Sequence, residues 1–361
     1  MPLVLILFLA GGLWAGCQSG RAPASAEEAR NPPAVSAEVT QVRRPQGELA
    51  RESRPRFDGE RAFVHLKKQC AFGPRYLGSR GHAECRDYLV TEMKKYADEV
   101  VTQDFSYRGM PLSNIAGVFY PAGSEKPAAS PVLLLAHWDT RPIADGPNAP
   151  ENRRGTPYRY GPRGWNRLDP IPGASDGASG VAVLLELARL FHSKKPSVGV
   201  VILLVDGEDY GDFQANNRKG EGVFLGSRYF AQHYRRNPVF GNPMYGILLD
   251  MVGGKNLLIP REEFSQQYAP GTNERVFRIA QALGYGRIFR WDRSHMVEDD
   301  HVPLNEAGIP TIDLLHPLPF GEYATTGYVH WHTLQDVPEN CSAQSLQAVG
   351  DVVAEAIYSE R

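Results

Sequence analysis

Three runs of apolar residues and glycine restrict the possible folds of this chain more than any other part of its sequence. They occupy residues 132–136, 198–205 and 245–249. Short runs without polar alternation are typical of strands that are buried on both faces of a parallel sheet. Segments with helical periodicity, such as residues 178–192, separate them. This alternation predicts an α/β fold with a mostly parallel central sheet and helices on both faces.

A histidine or an acid follows each of these runs. His137 follows the first run, Glu208 and Asp209 stand just after the second, and Asp250 follows the third. The carboxyl ends of parallel strands form one ligand-binding edge, so we expect these side chains to converge there. Each acid taken alone is better explained as a solvated loop residue or a helix cap, but this explanation does not account for all of them together.

Buried carboxylates at one edge repel each other unless protons or a cation neutralise them. A divalent metal satisfies this requirement. Mixed oxygen and imidazole ligands suit zinc, and a catalytic zinc keeps three protein ligands and one open position. Adjacent Glu208 and Asp209 allow one carboxylate to coordinate while the other moves protons. The sequence therefore predicts a zinc site.

Two further segments add candidate ligands. Residues 173–180 place Asp176 in a turn of small residues and glycines, directly before a predicted apolar helix. An aspartate at this position commonly caps the helix, but several other acids are expected at the same edge. Near the C-terminus, His332 adds a further imidazole, and the composition fits Trp331 equally well as an aromatic wall for substrate or as a core residue. We interpret His316 and His330 as supporting or surface residues.

The N-terminus has the features of an export signal. An apolar run over residues 3–13 is too short to span a bilayer comfortably, and Ala-Gly-Cys ends at Cys17. We predict a signal peptide over residues 1–17 with a lipidated Cys17. The chain would then be a membrane-anchored lipoprotein facing the periplasm, or a secreted protein. Residues 18–56 lack the apolar content to fold and predict a disordered tether. A single domain is expected over residues 57–361.

Composition narrows the possible partners. The net charge of −2 gives no basic field, so we expect no nucleic-acid partner, and a membrane only through Cys17. We expect a monomer. Export permits disulfides, and the sequence leaves open whether Cys70 and Cys85 pair or stay free.

The motifs taken together resemble a known family. They are His137-x-Asp139, Asp176 in Gly-Ala-Ser-Asp-Gly-Ala-Ser-Gly, Asp206-Gly-Glu208-Asp209, Asp250, Asp299-Asp300-His301 and Trp331-His332-Thr333. The set is similar to the zinc-dependent aminopeptidases, and in particular to the bacterial glutaminyl cyclase branch. The resemblance runs from about residue 57 to the C-terminus and implies a three-layer sandwich of the zinc aminopeptidase type.

The resemblance implies a role for each matching residue. The implied zinc ligands are Asp176, Asp209 and His332. Glu208 is the implied acid/base, and Asp250 and Asp299 are implied to hydrogen-bond the reacting groups. Trp331 is implied to face the substrate. The implied reaction closes an N-terminal glutamine of a peptide or protein into pyroglutamate and releases ammonia.

Three positions depart from the mammalian cyclases that the chain resembles. Asp209 replaces a glutamate and is one methylene shorter, which requires the backbone to sit closer to the metal. Ala136 replaces a cysteine, so the disulfide near the site is absent. Asp313 replaces a histidine.

Two other functions stay open at the level of sequence. In a two-zinc aminopeptidase, His137 and Asp250 would join Asp176 around a second metal, and Glu208 would activate water. A non-catalytic ectodomain on the same fold, as in transferrin-receptor-like chains, is the lesser alternative. The ligand candidates and Glu208 are all present, which argues against the ectodomain.

Overall fold

The computed structural model describes residues 54–149, 157–213 and 221–360. In chain order, the strands of these residues are β1 (Glu99–Tyr107), β2 (Met110–Phe119), β3 (Val132–His137), β4 (Tyr160–Gly161), β5 (Gly164–Trp165), β6 (Val200–Val205), β7 (Tyr245–Asp250), β8 (Ile259–Glu262), β9 (Phe289–His295) and β10 (Thr311–Leu315). The α-helices are α1 (Gly59–Cys70), α2 (Arg80–Lys94), α3 (Ala178–Ser193), α4 (Leu225–His233), α5 (Glu263–Tyr268), α6 (Pro270–Ala282), α7 (His301–Glu306) and α8 (Ala343–Tyr358).

The central sheet has six strands in the order β1-β2-β6-β3-β7-β10. Strands β6, β3, β7 and β10 are parallel to one another. Every residue of β3, β6 and β7 is buried, as their continuous apolar sequences predict. On one side, β1 and β2 extend the sheet in antiparallel fashion. The predicted mostly parallel sheet is confirmed, and the antiparallel pair makes it a mixed sheet.

Helices cover both faces of the sheet, as predicted. Residues of α1, α2, α3, α6 and α8 build the larger core on one face. Residues of α4 and α7 build the smaller core on the other face. Alternating helices and strands therefore give the three-layer α/β sandwich that the sequence predicts.

Some short elements carry no usable sequence signal. Strands β8 and β9 form a separate two-stranded parallel sheet, and their sequences contain charged residues at several positions. Helices α5 and α7 have six residues each, which is too short for a helical period to be recognised.

Arg54, which precedes the predicted domain boundary at residue 57, contacts helix α8. The signal peptide with Cys17 and residues 18–53 of the predicted tether lie outside the described residues. Arg54, within the predicted tether, places its Nε 2.8 Å from Glu355 Oε2 on α8. In the described part of the chain, no helix combines the length and apolar character that crossing a membrane requires.

Cys70, Cys85 and Cys341 are free thiols, so Cys70 and Cys85 form no disulfide.

Close packing of α3 on the sheet explains the small residues that begin this helix. A Cβ atom on Gly180 would lie 2.1 Å from the carbonyl oxygen of Leu249 and 2.9 Å from Ala136 Cβ. We predict that Gly180→Ala lowers the free energy of unfolding by about 2 kcal/mol or more, because backbone atoms cannot give way cheaply. Urea unfolding would measure the change. Gly271→Ala in α6 is the control, since a Cβ there meets nothing within 4 Å. An equal effect of both substitutions would contradict the prediction.

Candidate metal centre

The turn before α3 directs the Asp176 side chain away from the helix. The N-cap residue of α3 is Gly177, with φ of 97° and no side-chain cap. A Cβ there would lie 2.4 Å from the Asp139 carbonyl oxygen, so only glycine fits. Asp176 is therefore not the helix cap, and its carboxylate is available for another role.

Asp176, Asp209 and His332 come together as the sequence predicts. One ligand atom from each lies within 4.8 Å of the other two, and all three residues are buried. His332 Nε2 is 3.1 Å from Asp209 Oδ1 and 3.7 Å from Asp176 Oδ2. The shorter aspartate side chain at position 209 therefore reaches the common centre.

A second group of possible ligands adjoins the first. His137, Asp176 and Asp250 also place one ligand atom each within 4.8 Å of one another. Here the atoms are close enough to pair directly, because His137 Nε2 lies 3.1 Å from Asp250 Oδ1 and 3.2 Å from Asp176 Oδ1. Asp176 is shared by both groups.

Asp139 holds the loop that carries Glu208 and Asp209. Its two carboxylate oxygens accept hydrogen bonds from the backbone N–H groups of Glu208 (3.1 Å) and Asp209 (3.2 Å). Asp206, which belongs to the same acidic motif, points elsewhere and lies 2.9 Å from His82 Nε2. Asp206 is therefore not part of the centre.

A carboxylate that the sequence analysis missed orients His332. His332 Nδ1 is 2.9 Å from Asp145 Oδ1. A carboxylate only accepts, so Nδ1 donates and Nε2 is left facing the other two ligands. Arg141 binds Asp145 as well, with Nη2 2.7 Å from Oδ2. His332 also has a φ of 50°, in the left-handed region that is uncommon for side chains other than glycine.

Asp336 orients Asp176 in a comparable way. Its carboxylate accepts hydrogen bonds from the backbone N–H groups of Ser175 (2.8 Å) and Asp176 (3.0 Å). It also accepts one from the Tyr328 hydroxyl at 2.5 Å. Burial and the charge of Asp176 raise the pKa of Asp336 to about 7. Neither Asp145 nor Asp336 follows a strand or belongs to a periodic segment, so no sequence signal singled them out.

The centre opens into a cavity of about 320 Å³, which we call the active-site pocket. Acidic residues, among them Glu208 and Asp299, form part of its lining. Its remaining walls are mostly apolar, and Trp331 stacks on the His332 ring with ring centroids 3.9 Å apart. All of the predicted site residues thus lie at one pocket or directly beneath it.

Burial and neighbouring charges shift the pKa values of the ionisable groups around this centre. Burial raises the pKa of Glu208 well above its ordinary value, and the charge of Asp209 adds to the shift. Burial also raises the pKa of Asp209 to about 6 and that of Asp299 to about 7. Burial alone would lower the pKa of His332, but Asp209 and Asp145 outweigh it and raise the value to about 9. Without a cation, some of these groups must hold protons at neutral pH.

The donor atoms of the first group fit a divalent cation. Asp176 Oδ2 and both carboxylate oxygens of Asp209 are buried without a hydrogen-bond partner. Unpartnered buried oxygens are costly, and a cation would satisfy them. Two carboxylates and one imidazole form a donor set that zinc accepts, with a position left for substrate.

Asp313, His316 and His330 are not ligands of this centre. Asp313 is buried on β10, where burial and the charges of Asp299 and Asp250 raise its pKa well above the ordinary value. His301 lies beside it, with Nδ1 3.8 Å from Asp313 Oδ2. His316 is buried rather than superficial, and its Nε2 pairs with the Thr326 carbonyl oxygen at 3.1 Å. His330 is half-buried and contacts Tyr328.

The Asp145 carboxylate gives a direct test of the centre. We predict that Asp145→Asn lowers the affinity for Zn²⁺ about 10- to 100-fold, because His332 loses the acceptor that fixes its orientation. Competition with a chromophoric chelator would measure the dissociation constant. Asp169→Asn is a matched control, since Asp169 bonds Tyr158 rather than a residue of the centre. Unchanged affinity in Asp145→Asn would contradict the proposed orientation.

Comparison with known sequences shows which protein family this chain belongs to. The sequence pattern of peptidase family M28 matches residues 114–357. The chain belongs to peptidase family M28. This M28 protein is also similar to solved structures over most of its length, and these include bacterial glutaminyl cyclases. The predicted resemblance is therefore confirmed.

Two solved structures and one curated relative illustrate the range of the family. The glutaminyl cyclase of Bacteroides thetaiotaomicron, solved with N-acetylhistamine, has 36% sequence identity and a TM-score of 0.72, covering 85% of this chain and 100% of that one. A Zn-dependent exopeptidase of Parabacteroides distasonis has 34% identity and a TM-score of 0.71, covering 85% and 99%. Aminopeptidase YwaD of Bacillus subtilis is 26% identical over 284 residues, which cover 74% of this chain and 50% of that protein. The M28 protein spans about half the length of the curated relatives it matches.

Proposed function

We propose that this M28 protein is a zinc-dependent glutaminyl-peptide cyclotransferase, which converts the N-terminal glutamine of peptides or proteins to pyroglutamate. The observation that carries the proposal is the distribution of unpartnered oxygens. The first ligand group contains three buried oxygens without a hydrogen-bond partner, whereas His137 and Asp250 of the second group bond each other. One zinc held by Asp176, Asp209 and His332 would give these three oxygens a partner. Similarity to a bacterial glutaminyl cyclase over that protein's whole length supports the same reaction.

Asp176, Asp209 and His332 would hold the zinc. Zinc bound there would act as a Lewis acid that polarises the γ-carbonyl of the substrate glutamine. Glu208 takes a proton from the α-amine as its nitrogen attacks the carbonyl carbon of the side-chain amide. The new N–C bond closes the ring, the C–N bond of the side-chain amide breaks, and Glu208 returns the proton to the departing ammonia. The reaction consumes no water.

The surrounding residues position the reacting groups. Asp250 is fixed by its hydrogen bond with His137, and Asp299 lies in the same pocket. Burial and the charge of Asp250 raise the pKa of Asp299 to about 7, and a carboxyl that is partly protonated near neutral pH can either donate a hydrogen bond to the substrate or accept one. Trp331 contributes an aromatic wall, since it stacks on His332 and packs edge-on against Phe320.

A two-zinc aminopeptidase is the second candidate, and a specific observation favours it. His137, Asp176 and Asp250 form the second compact ligand group, so a second zinc has a complete set of side chains beside the first. Glu208 would then activate a water molecule for hydrolysis of the first peptide bond. An aminopeptidase and a Zn-dependent exopeptidase are among the similar proteins. A non-catalytic ectodomain has no comparable support, because the ligands and Glu208 are assembled at one pocket.

Metal content and product identity together separate the two enzymes. The purified protein would be loaded with zinc, dialysed, and analysed by mass spectrometry for metal per chain. It would then be incubated with Gln-Ala and with Leu-Ala, and the products identified. We expect one zinc per chain, ammonia and pyroglutamyl-Ala from the first substrate, and no cleavage of the second. Two zincs together with free leucine would reject the cyclase in favour of the aminopeptidase.

A further inference from the structure

One large groove on the described surface is lined by residues other than those of the active-site pocket. It has a volume of about 720 Å³ and lies between the segment after β7, the strand β9, the loop that precedes Trp331 and the start of α8. We call it the basic groove, and its charged residues are Lys255, Arg287, Arg290 and Arg293. No aspartate or glutamate lines it, although the whole chain has a net charge of −2.

Most of this positive charge is uncompensated. Arg290 is paired with Asp292, its Nη2 lying 2.7 Å from Oδ2. Across the described ranges of the chain, Lys255, Arg287 and Arg293 have no ion-pair partner within 4.0 Å. Three unpaired cations around one concave surface produce a positive potential that attracts anions.

The rest of the lining suits a polypeptide main chain. Side chains with amide or hydroxyl groups, including Asn256, Thr326, Asn340 and Gln344, offer both donors and acceptors. The first turn of the sixteen-residue helix α8 also lines the groove, and its dipole adds positive potential there. Burial lowers the pKa of His316 to about 4, so this histidine adds no positive charge to the groove.

The basic groove and the active-site pocket share one wall. Trp331 and His332 line the pocket, and the adjacent His330 lines the groove. Leu315 lines the pocket, and the next residue, His316, lines the groove. A polypeptide whose N-terminus occupies the pocket therefore has this groove beside it.

We propose that the basic groove is a substrate exosite that binds an acidic segment of the polypeptide downstream of the reacting N-terminal residue. The inference rests on the proposed cyclase and adds a substrate class to it: peptides or proteins with a block of acidic residues a few positions after the N-terminal glutamine. The chain's own residues 18–53 do not match this requirement, because they contain five arginines and five glutamates.

The test compares substrates of matched length in matched variants of the full chain. The groove variant carries Lys255→Gln, Arg287→Gln and Arg293→Gln. The control variant removes the same charge elsewhere through Lys94→Gln, Lys126→Gln and Arg236→Gln, which lie outside both cavities. Substrates are Gln-Ala and two series of decapeptides that begin with Gln, in which a block of four Glu or four Gln moves along positions three to ten. Ammonia release gives kcat/KM.

We expect wild type and the control variant to prefer the best acidic decapeptide over its neutral counterpart by about tenfold, which is the sum expected for a few exposed charge pairs. The groove variant should lose this preference, with the difference in KM rather than kcat. Gln-Ala cannot reach the groove and should react equally with all three proteins. Absence of any acidic preference in wild type, or its retention in the groove variant, would overturn the exosite while leaving the cyclase intact.

A direct binding measurement tests the exosite independently of the proposed cyclase activity. If no Gln-initiated peptide releases ammonia, the cyclase is wrong, and fluorescence anisotropy with a labelled acidic decapeptide still decides the exosite. Tighter binding to wild type than to the groove variant supports it. If inorganic phosphate or phosphatidylglycerol vesicles bind in a groove-dependent manner and the acidic decapeptide does not, the groove is a phosphate or lipid site and the exosite is rejected.

Discussion

Glu208→Gln should reduce kcat for ammonia release from Gln-Ala by about 10²- to 10⁴-fold, the range usual for loss of a general acid/base. Glutamine has nearly the same shape but cannot accept the proton of the α-amine or return it to the leaving group. Glu208 is not one of the residues in either compact ligand group, so zinc content should be unchanged. A fall in kcat with zinc retained would identify a proton-transfer role.

Glu298→Gln is the matched control, because Glu298 is an exposed carboxylate that lines the same pocket. This variant should keep kcat within a few-fold of wild type. A metal analysis of both variants accompanies the kinetics. If Glu208→Gln retained most of its activity, or lost its zinc, the assignment of Glu208 as the acid/base would be wrong.

Removal of the imidazole ligand should have an effect of similar or greater size. We predict that His332→Ala loses bound zinc and lowers kcat/KM by about 10³-fold or more, because Lewis-acid polarisation is worth several kcal/mol. The loss of bound zinc should also remove the stabilisation of the folded protein by zinc. The free energy of unfolding of wild type should rise by about 2.7 kcal/mol when the free zinc concentration is one hundred times the dissociation constant for zinc. That of the variant should hardly change.

Metal content by mass spectrometry and thermal unfolding with and without zinc would measure both effects. His330→Ala is the control, since His330 lies two positions away, is half-buried and does not reach the centre. It should bind zinc and gain stability as wild type does. Zinc-dependent stabilisation that persisted in His332→Ala would show that the ion binds elsewhere, for example at His137, Asp176 and Asp250.

Predictions about the sheet and its edge succeeded because they rest on strong local signals. Fully apolar strands have few alternatives to burial within a parallel sheet, and the residues that follow them have little choice but to lie at its carboxyl edge. His137, Glu208, Asp209 and Asp250 were located in this way. Asp176 depended on the turn of small residues, and Gly177 and Gly180 now explain why those residues must be small.

The residues that orient the ligands could not be predicted in the same way. Asp145 and Asp336 act through contacts with chain segments 187 and 160 positions away, to His332 and Asp176. The residues that flank Asp145 and Asp336 in the sequence do not indicate these long-range contacts. Asp206 is the opposite case. It stands two residues before Glu208, but its side chain turns to His82 of α2, and only the path of the backbone reveals this.

Long-range assembly of the centre has a consequence for how the protein would acquire its metal. Because the three proposed ligands come from loops far apart in sequence, the newly made chain offers an ion no more than isolated, weakly binding side chains. A complete coordination shell would exist only after the loops that carry Asp176, Asp209 and His332 have come together at the edge of the sheet. The compartment in which the polypeptide reaches its native topology, rather than the one in which it is translated, would therefore determine which ion the enzyme carries.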